Sequence, residues 1–267
     1  MIQLKPLTIV KLGGSVITYK DSTPPKINEA NLSRIANELK AHRGDLIIVF
    51  GGGAHGHQAA HLHGFADSKS PKELLLKGIP PIRHNMSVLA SSVESSLNKE
   101  GIPAIVLPPF SSVILRNGMI HDYPTNIIKK SLDNGFVVIT HGDVCFDEER
   151  TASILSGDTI AVYLAKELNA ETILIGTDVD GVLDDNPKLN PSAKHIPIIN
   201  QENMETILSK TGPSTNTDVT GGMSKKVSEL LEISKQNREI VIFNLTVPNR
   251  LKFLLQKELT ICTRIQL

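Results

Sequence analysis

The chain has no excess of charge of either sign, with 28 Lys and Arg against 28 Asp and Glu in 267 residues. That balance removes the long-range field a nucleic-acid or polyanion binder would use, so no nucleic-acid partner is expected. Cysteine is scarce as well. Cys145 and Cys262 have no metal-ligand spacing, which argues against a zinc site or a disulfide framework and for two reduced core thiols. No apolar run approaches the roughly 20 residues that cross a bilayer. The opening MIQLKPLTIVKLGG lacks the layout of a secretory signal, because a lysine interrupts it and the apolar run leads straight into glycines. The expectation is a soluble cytoplasmic protein without a membrane partner. Missing too is G-x-x-x-x-G-K-[ST], so any phosphate site must be built without the Walker loop.

What the sequence does have is glycine at the ends of apolar runs. Leu46-Ile47-Ile48-Val49-Phe50 stops at Gly51-Gly52-Gly53-Ala54-His55-Gly56-His57, which reads as a buried strand turning into a helix. Bare N–H groups at such a turn form a concave positive site for an anion. The same residues spell G-x-G-x-x-G, but the dinucleotide fingerprint also asks for an acidic residue about 20 positions on, at the end of the next strand. No strand ends there: Asp67 lies in a polar segment and the next strand-like run begins near Ala104. Phosphate is therefore the better reading than dinucleotide.

Leu7-Thr8-Ile9-Val10-Lys11-Leu12-Gly13-Gly14-Ser15 is a second strand with a glycine end. Lys11 within it is either on a surface strand or a phosphate ligand, since a buried ammonium needs an anion. Leu32, Ile35, Ala36 and Leu39 recur at helical spacing, which predicts a crossover helix over 28–42 and a βαβ unit. A right-handed crossover puts both glycine turns at the carboxyl ends of parallel strands, facing one ligand. From 58 to 81 the chain is polar and gives no firm element. His61 and His63 there lack the further ligands a metal site needs, and Pro80-Pro81 reads as a stop. Ile82, Met86, Leu89, Val93 and Leu97 then mark a helix closed by Gly101, and Ile82, Met86, Val88 and Leu89 are candidates to line an apolar pocket.

Further strands are expected at 104–107, 136–140, 172–176, 239–243 and 260–265, with helices at 125–133, 159–168, 202–209, 223–236 and 251–257. Asn117-Gly118 predicts a two-residue hairpin turn, and 144–155 reads as a second hairpin. In Ser156-Gly157-Asp158 either Ser or Asp can cap the helix at 159–168, so Asp158 is a helix cap by default and more only if cations meet it. Thr177-Asp178-Val179-Asp180-Gly181 opens on the ligand side but lacks the later ligands of a calcium loop. Asp218-Val219-Thr220-Gly221-Gly222-Met223-Ser224-Lys225-Lys226 is a third glycine turn, and lysines in the first turn of its helix either meet a compensating anion or point into solvent. Together these parts suit phosphoryl transfer, which needs cations to neutralise the moving group and donors to align the oxygens.

In this ordered set, running from Lys11-Leu12-Gly13-Gly14-Ser15 to Asp218-Val219-Thr220-Gly221-Gly222-Met223, the sequence resembles the amino acid kinase superfamily. Gly56-His57 and His141-Gly142-Asp143 bring it nearest to the isopentenyl phosphate kinase branch. The resemblance implies an α/β fold, a three-layer αβα sandwich with a largely parallel open central sheet. It would be one domain of 1–267, with an acceptor lobe at 1–169 and a nucleotide lobe at 170–267. The implied activity is ATP-dependent phosphorylation of isopentenyl phosphate to isopentenyl diphosphate in an alternative mevalonate route. Mg2+ would ride on ATP with no dedicated protein metal site, and the protein would be a homodimer.

The resemblance also assigns roles. Lys11 would contact the ATP phosphates and Lys20 would stabilise the transition state, while Gly13, Gly14, Ser15 and Gly53 would bind nucleotide phosphates. Gly52 and Gly157 would hold the acceptor phosphate, with His57 hydrogen-bonded to it. Asp158 would orient Lys11 and Lys226, and Asp178, Asp180, Gly222 and Lys226 would lie along the nucleotide. The sequence departs from the branch at Phe50, where His is usual, at His55, where an aromatic is common, and at Asn244-Leu245. The first two are expected to alter the acceptor pocket. A fosfomycin kinase of the same fold is the nearest alternative activity, and a non-catalytic nucleotide-binding protein is a further one.

Overall fold

A computed structural model describes residues 5–20, 22–67, 69–185, 190, 192–210, 222–234 and 238–267. Among them, the larger sheet has eight strands in the spatial order Ile198–Ile199, Thr263–Ile265, Glu239–Asn244, Thr172–Thr177, Leu7–Leu12, Asp45–Phe50, Val137–His141, Ala104–Val106. Every pairing in it is parallel except that of Glu239–Asn244 with Thr263–Ile265. Helices cover both faces, which is why the central strands are apolar on both sides rather than alternating with polar residues. The expected largely parallel αβα architecture is what forms.

Strand alternation divides the core into two halves. Val10, Leu12, Ile48, Phe50, Val241 and Phe243 pack with Leu32, Ile35, Met86 and Val93 on one side. Ile9, Ile47, Val49, Ile173 and Ile175 pack with Ile160, Leu164, Val227 and Leu230 on the other. Lys11 shares the second face with Ile9, two residues before it. That register aims its ammonium at the layer containing the helices Gly157–Glu167 and Gly222–Ser234.

A smaller sheet, in the order Thr151–Leu155, Asp143–Asp147, Ile114–Arg116, Met119–Asp122, lies beside the large one. Asn117 and Gly118 adopt φ of 52° and 79°, the left-handed pair a two-residue hairpin requires. The 144–155 hairpin also forms, over Asp143–Asp147 and Thr151–Leu155.

One reading needs correction. The polar stretch after Gln58 is helical: Gly53–Leu62 is one helix, and a second spans Lys72–Lys99 straight through Pro80 and Pro81. Each proline strips a donor from the carbonyl four residues earlier. Those carbonyls belong to Leu76 and Lys77, both exposed, so water can satisfy them. Meanwhile Leu75, Ile79, Ile82, Met86 and Leu89 keep one buried stripe through the prolines. Of the two cap candidates it is Ser156 that caps the helix Gly157–Glu167, its side chain accepting from the Thr159 N–H at 3.0 Å. Asp158 is released for another task. The Asp218–Gly221 part of the third glycine turn lies outside the described residues, as does the loop 211–216.

Candidate active site

The glycine turns meet backbone to backbone. A Cβ on Gly14 would stand 2.3 Å from the Gly53 nitrogen, and one on Gly157 would stand 2.9 Å from the Phe50 carbonyl oxygen. Gly53 itself sits at φ +50° with the Thr18 hydroxyl 2.3 Å from where its Cβ would be. No side chain fits at these points, so three chain segments distant in sequence present their amides to one space.

That space is a cavity of about 890 Å³ lined by Lys11, Gly13, Gly14, Ser15, Lys20, Gly52, Gly53, His57, Gly157, Asp158, Asp178 and Lys226. Of the other expected site residues, Asp180 is not on its wall. Asp180 is held by Arg250 at 2.6 Å and Asn244 at 3.1 Å, away from the cavity lining. Gly222 opens the helix Gly222–Ser234 that carries Lys226.

Asp158 joins two lysines. Lys11 Nζ approaches Asp158 Oδ1 at 3.0 Å, and Lys226 Nζ approaches Oδ2 at 2.8 Å. Burial lowers the pKa of Lys11 to about 8, Asp158 opposing that shift and Lys226 adding to it. Burial acts to raise the Asp158 pKa, but the two ammonium groups overcome it and hold the carboxyl well below the usual range. The result is a buried group of net charge about +1 at neutral pH, pre-set to receive an anion. At the mouth, exposed Lys20 pairs with Asp178 at 2.5 Å. Burial works against the Asp178 charge, yet Lys20 and the Ser15 hydroxyl bring its pKa below the ordinary value.

The wall also has apolar side chains: Ile82, Met86, Ile154 and Leu155 line it, and Met86 Sδ would lie 3.1 Å from a Cβ on Gly52. Of the four pocket candidates on this helix, Ile82 and Met86 reach the cavity. Val88 instead faces solvent and Leu89 is core. Phe50 and His55 do not line the cavity, contrary to expectation. Phe50 is fully buried against the His141 ring at 5.0 Å. His55 is buried as well, and burial lowers its pKa. Sequence reasoning missed Ile154, Leu155, His61 and Asp143 as lining residues. For Asp143 the signal was present in His141-Gly142-Asp143, a strand end on the ligand side.

Fold and site together define a phosphotransferase with a glycine-turn phosphate cradle. Residues 6–244 match the model of the amino acid kinase family, and the chain belongs to that family. Isopentenyl phosphate kinase of Methanothermobacter thermautotrophicus is 36% identical, over 97% of this chain and 98% of its own. That of Methanocaldococcus jannaschii is 38% identical, over 83% and 85%. A solved isopentenyl phosphate kinase structure superposes with a TM-score of 0.85 at 33% identity, covering 97% of this chain and all of that one. A UMP kinase from Ureaplasma parvum, at 20% identity and a TM-score of 0.63, shares the fold.

Proposed function

We propose that this protein transfers the γ-phosphoryl group of ATP to isopentenyl phosphate, giving isopentenyl diphosphate and ADP for isoprenoid synthesis. The observation that carries this reading is a single cavity lined both by lysines and glycine turns and by the apolar side chains of Ile82, Met86, Ile154 and Leu155. A phosphate-bearing apolar chain needs both kinds of lining. The small polar phosphonate of a fosfomycin kinase would leave the apolar lining uncovered.

In the reaction an oxygen of the acceptor phosphate bonds to the γ-phosphorus while the bond from that phosphorus to the β,γ-bridging oxygen breaks. The acceptor is already anionic, so no base is required. His57 therefore positions and neutralises it, beside the amides of Gly52 and Gly157. Gly13, Gly14, Ser15 and Gly53 receive nucleotide phosphates. Lys11, held by Asp158, takes charge from the ATP phosphates, and Lys226, held by the same carboxylate, lies further along the nucleotide. Lys20 leaves Asp178 to meet the phosphoryl group in transit. Mg2+ supplied with ATP would add neutralisation of phosphate charge to that of the lysines. Residues 1–169 supply the acceptor side and 170–267 the nucleotide side of one domain, which acts as a cytoplasmic homodimer.

The test is a coupled ADP-release assay across isopentenyl phosphate, dimethylallyl phosphate, fosfomycin, UMP and acetylglutamate. Isopentenyl phosphate is expected to give the highest kcat/KM. A higher value for fosfomycin, UMP or acetylglutamate would overturn the reading.

A further inference from the structure

Beside the acceptor end lies a charged pair that the phosphoryl transfer does not use. Asp143 lines the cavity although its side chain is fully buried. One carboxylate oxygen accepts a hydrogen bond from Arg83, and the other accepts the Val144 N–H at 2.9 Å. Arg83 does not line the cavity, and its guanidinium lies 5.3 Å from the centre of the Phe110 ring. His141 Nδ1 lies 3.5 Å from Asp143.

The two ends of this pair are attached to the two walls of the acceptor site. Arg83 is on the same helix as Ile82 and Met86, and Met86 Sδ packs under Gly52 and Gly56. Asp143 follows Gly142, whose N–H donates to the Phe50 carbonyl at 2.9 Å and whose Cβ, if present, would be 3.0 Å from the Gly157 nitrogen. Gly52 and Gly157 are the two acceptor-phosphate glycines of the proposed reaction. We infer that Arg83 and Asp143 are positioning residues that hold these glycines in register, so that acceptor affinity depends on Asp143 being ionised. This inference rests on the isopentenyl phosphate reading.

The groups facing Asp143 are Arg83 on the helix, His141 on the preceding strand and Cys145 on its own strand. Burial raises the Asp143 pKa to about 7 even against the opposing Arg83 charge. Burial holds His141 at about 4 and pushes the Cys145 thiol up, so neither changes charge near neutrality. Above about pH 7 the pair is ionic; below it the carboxyl is neutral and the tie to Arg83 weakens.

The experiment measures KM for isopentenyl phosphate and for ATP from about pH 5.5 to 8.5 in the unmodified enzyme and in Asp143→Asn, Arg83→Gln and Arg83→Lys. Arg83→Gln is expected to raise the acceptor KM about tenfold or more with the ATP KM nearly unchanged, the scale on which small misplacements act, and Arg83→Lys to restore part of the loss. The acceptor KM of the unmodified enzyme should rise as pH falls through about 7, beyond the part that Asp143→Asn retains from His57 and the acceptor phosphate. In Arg83→Gln that inflection should move to higher pH, because the group that lowers the Asp143 pKa is gone. An unmodified enzyme that turns over isopentenyl phosphate, with Arg83→Gln matching it in acceptor KM and pH profile, overturns the inference. If Asp143→Asn does not fold, the Arg83→Gln profile alone decides. No turnover of isopentenyl phosphate at any pH would instead overturn the proposed function.

Discussion

Replacing Asp158 with Asn keeps the shape of the side chain and removes the negative charge between the buried Lys11 and the partly buried Lys226. The contacts are 3.0 and 2.8 Å, and at an effective dielectric near 20 each is worth roughly 5–6 kcal/mol before desolvation. Desolvation of the carboxylate and repulsion between the lysines cancel much of that sum. What remains is the cost of leaving buried charge uncompensated, about 3–5 kcal/mol. Urea unfolding at pH 7 without nucleotide should show this as a lower midpoint at unchanged slope. The pH dependence follows from Lys11, whose pKa is about 8 when folded against about 10.4 unfolded. A lysine with a depressed folded pKa binds fewer protons in the folded state, so stability rises with pH between the two values. Without Asp158 the folded pKa falls further and that rise begins at lower pH. The deficit of Asp158→Asn should therefore shrink as pH increases toward 8, and its kcat/KM for ATP should decline at lower pH than in the unmodified enzyme. A variant within about 0.5 kcal/mol of the unmodified protein at pH 7, with no change in either pH profile, would refute the reasoning.

Lys20→Ala should lower kcat by about 10²–10³, the range for losing one group that acts in the transition state, while the KM for ATP moves little; stopped-assay kinetics at saturating acceptor distinguish the two. His57→Ala should raise the acceptor KM about 10- to 100-fold, the value of a hydrogen bond to a charged group, and leave nucleotide affinity near normal by titration calorimetry. Gly53→Ala places a Cβ at φ +50° and 2.3 Å from the Thr18 hydroxyl. Thermal unfolding should show a loss of at least about 1–3 kcal/mol, and activity should fall with it.

The parallel sheet and its glycine ends were legible because apolar runs that stop at glycine have few alternative readings. The hairpin at Asn117-Gly118 was legible because its turn demands those residue types. Lys11 was ambiguous on sequence alone. Its meaning came from register, since the strand period sets it opposite Asp158 and Lys226, which lie 147 and 215 positions along the chain. The Lys72–Lys99 helix was obscured because proline normally ends a helix. Its solvent-facing position and the buried stripe from Leu75 to Leu97 outweigh the two lost hydrogen bonds. Asp180 shows a long-range contact that its motif position does not reveal: Arg250 and Asn244, more than 60 residues away, bind its carboxylate. The Arg83–Asp143 pair was not legible as a pair: Asp143 sits in the His141-Gly142-Asp143 motif, but Arg83 carries no local pattern and lies 60 positions away.

The central claim is that separate strand ends form one cradle for a phosphoryl group passing between two phosphates. A crystal structure with a non-hydrolysable ATP analogue and isopentenyl phosphate tests it most directly. The account predicts the γ-phosphate against the amides of Gly14 and Gly53 with Lys11 beside it, and the acceptor phosphate at Gly52, Gly157 and His57, with its alkyl chain on Ile82 and Met86. A triphosphate bound away from the glycine turns, or an acceptor whose chain points away from Ile82 and Met86, would contradict it.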